Sequence, residues 1–355
     1  MRIWCNLGRW SIKRSLKLGA FLTTLSIIFI NECLIYFIMP IWWNSLQCQS
    51  GDCTRIFFVA DPQLLGFENE NKLYGYWSRQ DSDRHLKATF QRALQFTSPD
   101  VIIFLGDLLD EGSIASPEHF QIYLDRFKNI FNTKMNINRI YIPGDNDIGG
   151  ENGEIISDMN LKRFYNEFML NNSFDINNNK IRFFHINRML LNYTNPDPIN
   201  NKNRLRIAIS HMSILKSYSQ LRDDILNFIN PHVIFSAHWH KSCYFFYPPL
   251  KVEDFIKNEI LNYDLIKLKN DNERYLEIMI PTASYRMGEY RIGYGYAILD
   301  NNTLHYTVLW SLSRFYSLFV YLAWISLMLA LSVMLVIVKT TKIIKFKKDA
   351  NFNYQ

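Results

Sequence analysis

Two long apolar segments bracket the chain and limit its possible folds more than any other feature. Residues 18–43 are apolar apart from Asn31, Glu32 and a few small hydroxylated residues, and residues 315–338 carry no charge at all. A helix needs about 20 apolar residues to cross the hydrocarbon core of a bilayer, so a transmembrane helix is expected at each end. A cleaved secretory signal is the competing reading of the first segment. Its apolar run exceeds the usual ~7–15-residue signal core. It also ends in Ile41-Trp42-Trp43 rather than at a small-residue cleavage site, which favours an anchor.

Charge orients both spans. Arg2, Arg9, Lys13, Arg14 and Lys17 precede the first, and Lys339, Lys342, Lys345, Lys347 and Lys348 follow the second. Basic flanks stay in the cytosol. Residues 1–17 and 339–355 are therefore expected as cytosolic tails around a lumenal domain, residues 44–314. Setting aside those ten cations, Asp349 and Glu32 leaves 29 basic and 31 acidic residues, a net −2 for the domain, against +6 for the whole chain. The positive balance thus reports topology and contact with anionic lipid, and no nucleic-acid partner is expected.

Asn171, Asn192 and Asn301 head N-x-S/T sequons, which a lumenal domain could carry as glycans. Cys48 and Cys53 bracket a short Gly-containing loop and could form a disulfide in an oxidising compartment. Glu32 lies within the first span, where a bare carboxylate is costly. Protonation, or a hydrogen bond across to the second helix, is the expected resolution.

Within the domain, five short apolar runs end in the same way. Residues 55–60 run into Asp61-Pro62-Gln63, residues 101–105 into Gly106-Asp107-Leu108-Leu109-Asp110, and residues 139–142 into Pro143-Gly144-Asp145-Asn146-Asp147. Residues 206–210 end at His211, and residues 233–237 at His238-Trp239-His240. Such runs read as buried strands. Helical stripes lie between them: Leu86, Phe90 and Ala93-Leu94 after Ser82, then Phe120, Leu124, Phe127 and Phe131 after Ser116-Pro117. A third stripe, Leu161, Phe164, Tyr165 and Phe168, follows Ser157. Strands alternating with helices predict an α/β domain, whose ligands gather beyond the carboxyl ends of the strands. Asp and His stand there five times in succession. Carboxylates mixed with imidazoles suit Mn²⁺, Zn²⁺ or Fe, and a metal pair can activate water against a phosphate ester.

The order and spacing of these motifs resemble the calcineurin-like metallophosphoesterases over roughly residues 55–300. That resemblance implies two packed mixed β-sheets flanked by helices. It implies two divalent ions, with Mn²⁺ expected and Zn²⁺ or Fe as alternatives. Asp61, Asp107 and His240 would hold the first ion; Asp107 would bridge to the second, held by Asp145, His211 and His238. Asp61-Pro62-Gln63-Leu64-Leu65-Gly66, Leu109-Asp110-Glu111-Gly112, Asp147-Ile148-Gly149 and Pro281-Thr282-Ala283-Ser284-Tyr285-Arg286, with the two-span layout, are further similar to the metallophosphoesterase 1 family. This second resemblance implies a phosphodiesterase that removes a side-branch ethanolamine phosphate from glycosylphosphatidylinositol (GPI) anchors. Its substrates would be GPI lipid or GPI-anchored proteins, met in the ER, the ER–Golgi intermediate compartment or the Golgi, with secretory cargo machinery as a further partner.

Three positions depart from the pattern. Gln63 stands where a metal-binding His is expected, and Asp145 replaces a ligating Asn. Asn146 replaces the His that helps protonate the leaving group, with Asp147 left to orient its amide. A catalytically silent relative that binds GPI glycans or cargo without hydrolysis is the alternative reading. Arg286 is a candidate phosphate contact, against an ordinary hairpin as the plainer reading, and His85 and His119 are unassigned imidazoles expected on solvated helix faces.

Overall fold

The computed structural model describes residues 2–133, 136–151, 154–168, 173–177, 180–193, 204–255, 259–272 and 274–352. The sequon residue Asn171 falls outside them, while Asn192 and Asn301 are exposed. The chain divides into two compact units, Met1–Ile35 with Ser313–Gln355, and Tyr36–Leu312.

The first unit is two helices. One runs Arg2–Phe29 and continues through a π-helical turn, Ile30–Leu34; the other runs Arg314–Phe352. The stretches Arg14–Trp42 and Arg314–Ile344 are long and apolar enough to cross a membrane. Polar groups tie the two helices together. Trp324 Nε1 donates to Thr24 Oγ1 at 3.0 Å. Glu32 accepts from Arg314 Nη2 at 2.7 Å and from the Tyr321 hydroxyl, so the expected hydrogen bond across to the second helix is present.

A helical turn, Ile35–Ile38, and a 3₁₀ turn, Met39–Trp42, follow in the chain. Here Tyr36, Met39 and Trp43 are buried, whereas most apolar side chains described before them are exposed. Cys48 and Cys53 form a disulfide at the start of the first strand.

In chain order the strands are β1 (Cys53–Val59), β2 (Val101–Leu105), β3 (Asn138–Ile142), β4 (Ser173–Ile176), β5 (Ile181–Asn187), β6 (Asn192–Tyr193), β7 (Leu205–Ser210), β8 (Val233–Ser236), β9 (Cys243–Tyr247), β10 (Lys251–Asp254), β11 (Leu261–Asp264), β12 (Tyr275–Met279), β13 (Ile292–Asp300) and β14 (Thr303–Ser311). Among the described residues they form two mixed sheets. One has the order β11-β14-β13-β1-β2-β3; the other has β10-β9-β12-β8-β7-β5-β4, with β6 paired to β5. β1, β2 and β3 are mutually parallel in the first sheet, and β5, β7, β8 and β12 in the second.

Alternation along β1 shows how the layers form. Phe57 and Val59 pack with Leu86, Phe90, Leu124 and Phe127 of the helices Gly75–Thr97 and Pro117–Ile130. Ile56 and Phe58 face the other way, into a core shared with Ile207, Ile209, Phe235 and Ile278 of the second sheet. Phe184, Ala208 and Ile234 then meet Leu221, Ile225 and Ile229 on that sheet's far side. A period of two with both faces apolar is what a strand buried between two layers requires. The result is the expected pair of packed mixed sheets flanked by helices. The Ser116 hydroxyl caps its helix by accepting from His119 N at 3.2 Å, and Ser157 Oγ accepts from Asn160 N at 3.1 Å. The helix expected after Ser82 instead begins at Gly75, with Ser82 buried inside it.

Candidate metal centre

All five motifs lie at carboxyl ends of parallel strands. Asp61, Asp107 and Asp145 follow β1, β2 and β3 of one sheet, while His211 and His238 follow β7 and β8 of the other. The turns that carry them are tight. Asp61, Gln63, Asp107, His238 and His240 all have positive φ, between 38° and 72°. Left-handed conformations are uncommon for side-chain-bearing residues, and several of them in one place mark a backbone held against its preference by its surroundings. Gln63 N donates to Asp107 O at 2.9 Å, and Thr282 Oγ1 to Asp61 O at 2.8 Å. Two glycines are needed for closeness. A Cβ on Gly106 would stand 2.5 Å from His211 Nδ1, and one on Gly144 would stand 2.3 Å from Asp107 N.

The donor atoms fall into two overlapping groups. Asp107, Asp145, His211 and His238 form one; Asp61, Asp107 and His240 form the other. Asp107 belongs to both. His211 Nδ1 lies 2.7 Å from Leu105 O, which fixes its proton there. Nε2 faces the acids, 3.0 Å from Asp145 Oδ1, 3.4 Å from Asp107 Oδ1 and 3.3 Å from His238 Nδ1, and presents them either a proton or, toward a cation, a lone pair. Carboxylates crowded together in a buried place repel unless positive charge lies among them.

The electrostatics say the same. Burial pushes the Asp61 carboxyl up to about 8, and Asp107 beside it adds to the shift. Asp107 is raised in the same way, by burial and then by Asp145 despite His211. Burial opposes charge on His211, but Asp107, Asp145 and Asp61 outweigh it and push that imidazole up to about 10. Buried Asp61 and Asp107 resist ionising, whereas Asp145, against the effect of its burial, is held below the usual carboxylate range by His211 and His238, so the cluster's carboxylates depend on nearby positive charge. Divalent cations supply the missing charge, and the mixed oxygen and nitrogen donors suit them.

The three departures from the pattern lie at this cluster. Gln63 Nε2 donates to Asp107 Oδ2 at 2.8 Å and lies 3.2 Å from His240 Nε2. Asn146 donates to Asp107 twice, from its backbone N and from Nδ2, each at 3.0 Å. Asp147 does not orient the Asn146 amide as expected. Its carboxylate accepts instead from Gly144 N at the start of its own short helical turn and from Leu108 N and Leu109 N of the loop after β2, at 2.9–3.1 Å. Arg286 has a partner of its own. Its guanidinium is paired with Glu70 at 2.9 Å, in a 3₁₀ turn, Tyr285–Met287, that leads into the β13–β14 hairpin. His85 is buried, 3.1 Å from the Tyr36 hydroxyl and edge-on to Tyr285, and His119 pairs with Glu68 at 3.1 Å.

Three carboxylates at or behind this site were not legible beforehand. Glu151 stands 3.7 Å from His238 Nε2. Glu111 accepts from the backbone amides of Phe67, Glu68 and Asn69 and from the Tyr123 hydroxyl. The fully buried Glu277 accepts from Ile214 N, Leu215 N and Ser236 Oγ, bracing the turn after His211 against β8. The order of Asp and His along the chain gives no sign of such roles.

The chain is similar to several known proteins. The sequence model described as "Calcineurin-like phosphoesterase" matches residues 54–242. A Metallophosphoesterase 1 homolog of Caenorhabditis elegans is 26% identical over 279 residues, 65% of this chain and 72% of that protein. One of Drosophila melanogaster is 37% identical over 101 residues, 28% of this chain and 25% of its own length. Among solved structures, a metallophosphoesterase from Sphaerobacter thermophilus is similar at a TM-score of 0.33 and 12% identity, covering 72% of this chain and 87% of that one.

Proposed function

Since this chain belongs to the calcineurin-like phosphoesterase family, a family of metal-dependent hydrolases, we propose that it is a membrane-bound phosphodiesterase that removes a side-branch ethanolamine phosphate from GPI anchors. The observation that carries the chemistry is the sharing of Asp107 between two groups of donors. Asp61, Asp107 and His240, with Gln63 alongside, would hold one divalent ion. Asp107, Asp145, His211 and His238 would hold the other, with Mn²⁺ the first candidate and Zn²⁺ or Fe the alternatives. Bound there, such a pair polarises phosphoryl oxygens and lowers the pKa of bound water.

The chain's own residues do the rest. Leu105 O holds His211 in one tautomer, and Glu151 stands where it can take up the second ring nitrogen of His238. Asn146 presents an amide beside the shared carboxylate and can donate a hydrogen bond, but it has no proton to transfer. Arg286 and Glu70 form an ion pair at the edge of the loop that leaves the centre. An oxygen of a phosphate substituent could compete with Glu70 for that guanidinium fork.

The substrate reading rests on the motif contexts around Asp61, Asp110 and Arg286, on the two apolar helices, and on the similarity to Metallophosphoesterase 1 homologs. With it go cytosolic termini, a lumenal domain and residence in the ER, the ER–Golgi intermediate compartment or the Golgi. Mass spectrometry of GPI anchors from cells with and without the protein tests it. The expected result is retention of one ethanolamine phosphate branch in its absence; identical anchors would refute the substrate.

A further inference from the structure

The metal centre occupies one end of the two sheets, and a polar cavity of about 580 Å³ opens at the other. Its walls come from Asp52 before β1, Lys180 before β5, Arg204 and Arg206 around the start of β7, and His232 before β8. The β13–β14 turn and the helix Leu265–Asn272 complete it. β1, β7 and β8 carry residues of the metal centre at their opposite ends. Arg206 and His211 are five positions apart along β7, about 16 Å at the rise of a strand. The volume falls in the ~300–1,000 Å³ range of small-molecule sites.

Cations gather there without acids to match. Lys180 is paired with Asp52, and Arg204 with Asp175, which leaves Arg206 and Lys269. Arg206 Nε donates to Asn230 O at 3.0 Å; Lys269 Nζ donates to that same oxygen, and to Pro231 O at 3.0 Å. No acid among the described residues lies against either cation. A helix cap is the plainer reading, since Asn230 ends the helical turn Ile225–Ile229. A carbonyl supplies a dipole rather than a charge, however, and one lysine would suffice for it. Burial and then Arg206 push the Lys269 ammonium down to about 7, so the two cations oppose each other at close range. His232 Nδ1 accepts from Arg206 N at 2.9 Å, which puts the ring proton on Nε2. Burial, then Arg206 and Lys269, push that imidazole down to about 3 and keep it neutral. Crowded cations with donors to spare and no counter-charge suit an anion.

We propose that this cavity binds a phosphate monoester carried on a polyhydroxyl body, a ligand of the size and chemistry of a sugar phosphate. The guanidinium fork of Arg206, Lys269 Nζ and His232 Nε2 hold the phosphate. Five asparagines on the same walls offer amides that both donate and accept, as hydroxyl groups require. The anion relieves the opposition between Arg206 and Lys269 and restores full charge to the lysine. Because the metal centre lies at the far end of the sheets, this site holds its ligand without hydrolysing it.

The test acetylates full-length, metal-loaded protein in detergent micelles at pH 6 with limiting acetic anhydride. Labelling of Lys269 is read against Lys267 by mass spectrometry of peptides. A neighbouring anion raises an ammonium pKa by about one unit or more, so saturating glucose 6-phosphate should slow labelling of Lys269 about tenfold. Lys267, exposed two positions away, should be unaffected. Micelles doped with phosphatidylinositol 4-phosphate form a second arm. Protection by the free ester alone assigns a soluble ligand, and protection by the lipid a membrane-borne one; protection by neither overturns the proposal. So does equal protection by glucose, or by potassium chloride at matched ionic strength. Arg206→Gln should abolish the protection and Asp107→Ala, at the metal centre, should retain it. The reverse pattern overturns the cavity as the seat of the ester without touching the metal-centre assignment. If Lys269 resists acetylation throughout, calorimetry decides, and a heat of ester binding unchanged by Arg206→Gln overturns the proposal.

Discussion

Replacing Asn146 by His probes what the centre lacks. The asparagine side chain stands 3.0 Å from the shared carboxylate of Asp107, so position 146 is within reach of a bound phosphate ester, but a carboxamide cannot protonate a departing alkoxide. General acid help is worth roughly 10²–10⁴-fold, or about 3–5.5 kcal/mol of barrier. The lower end is expected here. Asp147, the nearest carboxylate able to brace a new imidazole, already accepts three backbone amides. Asn146→His should therefore raise kcat about 100-fold on an alkyl phosphodiester, whose leaving group is a poor one. A p-nitrophenyl phosphodiester, whose phenolate departs without a proton, should gain little. Turnover of the alkyl ester should also fall above the ordinary histidine pKa of about 6.5, as the imidazole loses the proton it must donate. Steady-state kinetics across pH, with metal content measured on the same samples, provide the assay. Equal acceleration of both substrates would falsify the reasoning, and so would an unchanged alkyl rate with metal content intact.

Two further outcomes follow from the geometry. Asp107→Ala should empty both metal positions by elemental analysis, because Asp107 belongs to both groups, while His240→Ala should lose metal from one; two retained ions in the Asp107 variant would refute the shared-ligand assignment. Glu277→Ala orphans three buried donors at about 1–3 kcal/mol each. A loss of roughly 10 °C or more in Tm is expected for a domain of this size, and an unchanged melting curve would show that water or a side-chain rearrangement replaces the carboxylate.

The sequence exposed the centre because its ligands sit where strands stop, and apolar runs broken by Asp or His are visible without knowing which strands pair. It could not divide those strands between two sheets. β1 and β7 are both short, apolar and buried on both faces, and nothing local to either says that they belong to opposite layers. Asp147, Glu111 and Glu277 were misread or missed for one reason. Each carboxylate serves backbone amides, and an amide donor is present at nearly every residue, so it leaves no pattern in the side chains. The start of the helix at Gly75 escaped because Tyr74 gives no side-chain hydrogen bond to mark it, whereas Ser116 does.

The tie between Glu32 and Arg314 has a consequence for how the protein is made. The two residues are 282 positions apart, so the first helix is made long before its partner exists. At about 5–20 residues per second of synthesis, Glu32 waits roughly 15–60 s for its guanidinium, and the catalytic domain is synthesised in that interval. The Glu32 carboxylate accepts from Arg314 and Tyr321 only once those residues have been made. The helix pair can therefore close only after everything between its members has been synthesised.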